Sequence, residues 1–138
     1  MTPTTATGQC LCGAVAFTAQ LPSLWMAHCH CTRCQRAHGA GFVTWVGLAA
    51  DRVSINDPSQ ALRWFSHPGG GDRGFCARCG SSLFFKSGQW PGELHIARAL
   101  FTGPLDREPQ MHGYYDTHVD WISLADELPT KPDPNAGS

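Results

Sequence analysis

Apolar positions along this chain come in short runs. Gly or Pro interrupts them roughly every 10 residues, and no window of a dozen residues holds a helical period. Alternation dominates instead. From Gln9 to Thr18, Cys10, Cys12, Ala14 and Ala16 fall on one face and Leu11, Val15 and Phe17 on the other, which predicts a strand. Further strands are predicted at Leu24–His28, Gly41–Leu48, Val53–Ile55, Leu62–Ser66, Ser82–Lys86, Glu93–Ala97 and His118–Leu124. One short helical turn is predicted around Thr32–His38. The class that follows is mainly β, a single domain of short antiparallel strands.

Length sets the domain count. At 138 residues the chain holds one domain. Residues 1–7 are small and polar, and residues 130–138 are Pro-rich, so both ends are expected to be flexible around a folded domain at 8–129. Net charge is −1, with ten Lys and Arg dispersed among eleven acids. No basic patch marks a nucleic-acid binder. No apolar run reaches the roughly 20 residues that span a membrane, and the first residues lack the basic start and apolar stretch of a secretory signal. The expected location is cytoplasmic. In that reducing compartment cysteines serve metals rather than disulfides, and the odd count argues against a secreted disulfide scaffold.

The cysteines change the picture most. All seven lie in clusters: Cys10-x-Cys12, Cys29-x-Cys31-x-x-Cys34 and Cys76-x-x-Cys79. Such short gaps let neighbouring thiolates converge on one ion about 2.3 Å away. Two pairs make four sulfurs, the closed set of a structural zinc. Cys10 and Cys12, two apart on the predicted strand, leave from one face. Cys76-Ala-Arg-Cys79-Gly80 reads as a knuckle in which Gly80 takes a positive φ. A redox Cys-x-x-Cys would want a strand–helix setting, which is absent. The zinc-stapled domain is thereby closed from residue 10 to residue 79.

The trio Cys29, Cys31 and Cys34 leaves a fourth position open, the arrangement of a catalytic or ligand-binding zinc. Three thiolates make the metal a weak Lewis acid, so presenting an external thiol suits this site better than activating water. Arg33 and Arg36 are placed to offset the negative charge. The alternative is a closed second structural site with His28, His30 or His38 as fourth ligand; His30, between two ligands, would point away. Four-sulfur iron sites do not divide seven cysteines.

At these residues the chain resembles the glutathione-dependent formaldehyde-activating enzyme family, also called the centromere protein V/GFA family. The resemblance runs through Gly8-Gln-Cys-Leu-Cys-Gly-Ala-Val-Ala-Phe17, Cys29-His-Cys-Thr-Arg-Cys34, Gly39-Ala-Gly-Phe42 and Arg73-Gly-Phe-Cys-Ala-Arg-Cys-Gly-Ser-Ser-Leu-Phe84, and ends near His118–Trp121 and Leu128-Pro129. It implies a β fold like that of Rab-associated zinc chaperones. It also implies two zincs, one structural on Cys10, Cys12, Cys76 and Cys79 and one exchangeable on Cys29, Cys31 and Cys34. The implied activity is that of a carbon–sulfur lyase or synthase joining glutathione and formaldehyde as S-hydroxymethylglutathione, with Arg33 and Arg36 as charge contacts for glutathione. Family members often carry Arg-Lys after the trio; here Gln35-Arg36 moves one positive charge.

The partners expected are therefore glutathione or a similar small thiol and an aldehyde, with no nucleic acid and no membrane, in an unassigned oligomeric state. The competing function is a non-catalytic zinc module for a protein partner. Trp25, Trp45, Trp64, Trp90 and Trp121 are expected mostly in the core, though they could line a pocket. Gly69-Gly70-Gly71 reads as a flexible hairpin connection, with a lid over the open site as the rival reading. His95 and His112 are expected to be structural or exposed.

Overall fold

The computed structural model describes residues 2–134. Ten strands form two sheets: Thr5–Gln9 (β1), Ala16–Gln20 (β2), Trp25–Cys29 (β3), Val43–Ala49 (β4), Val53–Asn56 (β5), Leu62–Ser66 (β6), Asp72–Cys76 (β7), Ser82–Lys86 (β8), Glu93–Ala97 (β9) and His112–Gly113 (β10). The smaller sheet has the order β1-β2-β5 and the larger β10-β3-β4-β9-β8-β7-β6. All pairings are antiparallel except that of β10 with β3. A helix, Thr32–His38 (α1), follows β3. The mainly β class is as expected from the short alternating runs.

The two faces of the large sheet differ. On the inner face Met26, Val46, Ile96 and Phe84 lie in one cross-strand row and are fully buried. They pack in one cluster with Ala6, Phe17 and Ala19 of the small sheet. Phe17 stands edge-on to Phe84 and Phe101, with centroids 5.7 and 5.1 Å away. Each large side chain so buried contributes about 1.5–3 kcal/mol. One residue along each strand, Trp25, Gly47, His95 and Phe85 form the matching row on the outer face, which carries the cavity described below.

Several expectations need correction. Gln9–Thr18 is not one strand: the chain turns at residues 10–15, where Cys10 N–H donates to the Val15 carbonyl (2.9 Å) and Gly13 adopts φ +81°. The alternation there is the accident of a tight turn between β1 and β2. His118–Leu124 forms no strand, whereas β1 and β7 do. The ends expected to be loose take part in the fold. Thr5–Thr7 pair with β2, and Lys131 N–H donates to the His112 carbonyl at 2.8 Å. Residues 135–138 lie outside the described residues. A loop brace completes the frame: Ser23 donates to Asp106 Oδ2 from its backbone N–H (2.9 Å) and its hydroxyl (3.1 Å).

Candidate metal centres and their cavity

The first cysteine group joins two distant turns. Cys10 and Cys12 come from the β1–β2 turn; Cys76 ends β7, and Cys79 lies in the turn before β8. Gly80 at φ +80° lets its N–H reach back to the Cys76 carbonyl at 2.7 Å. Tetrahedral sulfurs about 2.3 Å from one zinc stand about 3.8 Å apart. The Sγ separations are 3.7 Å for Cys10–Cys12 and 3.8 Å for Cys12–Cys76. The donor set therefore fits a thiophilic ion. Val15 N–H points at Cys10 Sγ (3.3 Å), and Cys79 Sγ lies 3.2 Å from the Ser81 hydroxyl, which with the Ser81 backbone lowers the Cys79 pKa to about 5. Cys10 and Cys76 are buried.

The second group is local. Cys29 ends β3, Cys31 is the N-cap of α1 and Cys34 sits in its first turn, their three sulfurs within 4.8 Å of one another. Cys34 N–H donates to Cys31 Sγ at 3.3 Å, so one cysteine of the trio caps the helix that presents the next. Gly39 at φ +62° closes the helix. Cys34 Sγ also accepts from Trp45 Nε1 (3.4 Å) and Arg73 Nη2 (3.6 Å). Hydrogen bonds with Cys29 and Cys31, joined by the Arg73 charge, hold the Cys34 thiol well below its usual pKa despite burial. Cys29 is pushed up by Cys31 and Cys34 and by burial.

Among the described residues no His, Asp or Glu ligand atom joins this trio. His30 turns away: its Nε2 lies 2.8 Å from His112 Nδ1, while His112 Nε2 lies 2.9 Å from Asp126 Oδ1. With Asp126 ionised, His112 donates through Nε2 and accepts at Nδ1, so His30 donates through Nε2. Its buried Nδ1 then carries a lone pair without a partner. His28 bonds Thr44 Oγ1 through Nδ1 (2.7 Å), and its ring stacks on His112. His38 packs edge-on against Trp45. The His28–His112–Asp126 cluster was not legible in sequence, because β10 and the 126 segment meet β3 only in three dimensions.

The trio opens into a cavity of about 610 Å³. Trp25, Trp45 and Trp90 line it, with Phe85 and His95, so these tryptophans are cavity walls as much as core. Trp64 stacks on Phe84 beneath Lys86, and Trp121 is 70% exposed. Arg33 lines the cavity and donates to the Gly70 carbonyl (3.2 Å), tying the glycine loop to the rim. Arg36 is exposed on α1 and is not a lining residue. Arg73, not singled out in the sequence, is: its guanidinium lies 4.9 Å from the Phe85 ring centroid beside Cys34. Tyr114, at φ 54° in the left-handed region, forms another wall, and burial with the neighbouring Cys29 raises its pKa to about 12.

The family model described as glutathione-dependent formaldehyde-activating enzyme matches residues 5–117. The chain belongs to this family. A Halomonas elongata protein, provisionally named glutathione-dependent formaldehyde-activating enzyme, is 27% identical over 124 residues, covering 85% of this chain and 79% of its own. The crystal structure of a Rhodobacter sphaeroides protein superposes with a TM-score of 0.60 at 20% identity, over 71% of this chain and 89% of that one, and shows the shared fold. The family match spans all seven cysteines and stops short of Asp126, so the brace on His112 comes from outside the matched region.

Proposed function

We propose that this chain is a zinc-dependent carbon–sulfur lyase or synthase that joins glutathione to an aldehyde and releases it again. The carrying observation is the contrast between the two cysteine groups: four sulfurs spaced for a closed tetrahedron, and three on the wall of a cavity of about 610 Å³. The family membership and the name of the Halomonas relative support the glutathione–aldehyde chemistry. Bound at Cys29, Cys31 and Cys34, zinc would supply the positive charge that keeps an incoming thiol ionised at neutral pH.

The chain's own residues do the rest. Trp45 and Arg73 donate to Cys34 and hold the trio in place. Arg33 and Arg73 are the cavity's arginines, suited to the two carboxylates of glutathione. In the forward step the thiol adds across the carbonyl: a carbon–sulfur bond forms, the carbon–oxygen π bond opens and the thiol's proton ends on the oxygen. The reverse step restores thiol and aldehyde without any oxidant. Seven free thiols suit a reducing compartment and support a cytoplasmic location as part of this reading. No helix among the described residues is long and apolar enough to cross a membrane.

Calorimetric titration of glutathione into the zinc-loaded protein, with a sample stripped of its labile zinc as control, tests the proposal. Zinc-dependent binding is expected. Equal binding by both samples, or none by either, refutes it.

A further inference from the structure

The outer face of the large sheet is built as a floor. Trp25, Gly47, His95, Phe85 and Arg73 lie directly opposite one another across five neighbouring strands. Gly47 is required there, since a Cβ would stand 2.2–2.7 Å from three atoms of the Trp25 indole. The ring therefore crosses β4 and meets His95 edge-on, with centroids 4.6 Å apart. Glu93 Oε1 fixes both, accepting from Trp25 Nε1 at 3.0 Å and from His95 Nε2 at 2.9 Å. Phe85 and Trp90 stand 5.7 and 5.3 Å from the His95 ring. In the adjacent row Trp45 donates to Cys34 Sγ, so the aromatic floor runs directly into the thiolate trio.

The aromatic stretch of this floor, short of Arg73, matches neither substrate of the simplest reaction. The Trp25, Phe85 and Trp90 rings carry no charge and burial lowers the His95 pKa; Glu93 lies beside Trp25 and His95, and Arg73 stands at the far end. Glutathione carries two carboxylates and an ammonium, groups that lose hydration over apolar rings without gaining partners. Formaldehyde has no apolar body to place on them. A cavity of about 610 Å³ lined by aromatic rings is instead of the size and character that hold a larger apolar ligand.

Building on the glutathione–aldehyde reading, we infer that the aldehyde carries an apolar ring, which lies on Trp25, His95, Phe85 and Trp90 while its carbonyl carbon faces the cysteine trio. The bonds made and broken are those of the addition above, and the ring takes no chemical part. Aromatic faces prefer an offset or edge-on partner, which favours a flat substituent over a branched one.

S-benzylglutathione and S-methylglutathione, stable thioethers that mimic the two adduct sizes, provide the probes. Titrated by calorimetry into the zinc-loaded protein, the benzyl compound should bind at least about tenfold more tightly, as burial of a phenyl ring implies. Trp90→Ala, in a loop, and Trp25→Leu, in a strand, should each shrink that ratio to roughly threefold or less; the loop variant keeps the test sound if the strand variant unfolds. In turnover with glutathione, phenylacetaldehyde should exceed formaldehyde in kcat/KM. Equal affinities, or a preference for the methyl compound, overturn the inference and leave the glutathione reading standing. Binding of neither thioether while glutathione itself binds overturns the inference, and binding of none of the three removes the glutathione reading with it. A ring preference seen for benzyl mercaptan with formaldehyde, but not for phenylacetaldehyde with glutathione, puts the ring on the thiol and also overturns it.

Discussion

Gly47→Ala is the smallest change that should dismantle the cavity floor. The new methyl would sit 2.2, 2.3 and 2.7 Å from Trp25 ring atoms, inside any tolerable contact, and β4 is held by β3 and β9 on either side. The indole must therefore swing off the strand. It then loses its hydrogen bond to Glu93, about 1.5–3 kcal/mol for a charged acceptor, and its edge contact with His95, about 0.5–1.5 kcal/mol. The variant should be about 2–4.5 kcal/mol less stable, which at this chain length lowers Tm by roughly 6–18 °C. Scanning calorimetry reads the shift, and near-ultraviolet circular dichroism reads the freed indole. Gly103→Ala is the control, since nothing lies within 4 Å of its added Cβ and its φ is ordinary. A Gly47→Ala protein with a Tm within about 2 °C of that control would refute the packing argument.

Cys76→Ser removes a buried sulfur from the group that ties the β1–β2 turn to β7, and should leave the chain largely unfolded by circular dichroism, whereas Cys31→Ser should keep nearly the parent Tm while losing glutathione binding. Asp106 is raised by burial but lowered more by its hydrogen bonds together, from Ser23, its own backbone and Arg107, so its folded pKa lies below the ordinary value; its stabilisation is complete above about pH 4 and fades as pH falls through the folded value. Asp106→Asn should accordingly flatten the acid limb of stability against pH measured by denaturant titration. Asp126→Ala leaves His112 Nε2 unpartnered, and hydrogen exchange should quicken at the amides of Lys131 and Tyr115, which close the same segment onto β10.

What could be read from sequence was what is local. The Cys29–Cys34 trio, the α1 turn after it and the knuckle at Cys76–Cys79 depend on gaps of a few residues, and the structure brings their sulfurs together. The turn at Cys10–Val15 was read as strand because a tight turn with Gly13 at positive φ leaves an alternating pattern undisturbed. β1, with the composition Thr-Ala-Thr-Gly-Gln, lacks the large apolar residues that announce a strand, and β7 carries Gly74 where Trp64 and Phe84 press close. The floor was beyond reach for another reason. Trp25, Gly47, His95, Phe85 and Arg73 are spread between positions 25 and 95 of the sequence, and only the register of four strand pairs puts them in line.

That register also explains why one small domain can be both firm and open. A sheet with alternating side chains has two independent faces. Here the inner row of Met26, Val46, Ile96 and Phe84 is buried against the small sheet and supplies cohesion. Its neighbours in each strand, Trp25, Gly47, His95 and Phe85, are thereby set on the opposite face, where Trp25, His95 and Phe85 line the cavity while Trp25 and Phe85 also pack on a second, smaller buried cluster. A metal on the four sulfurs would staple turns far apart in sequence, Cys10 to Cys79, a constraint that would remove much of the unfolded chain's freedom. Three sulfurs within six residues tie down almost nothing. They sit where a strand ends and a helix begins, beside the cavity, and under the proposed function that placement would let the site exchange what it holds without loosening the fold.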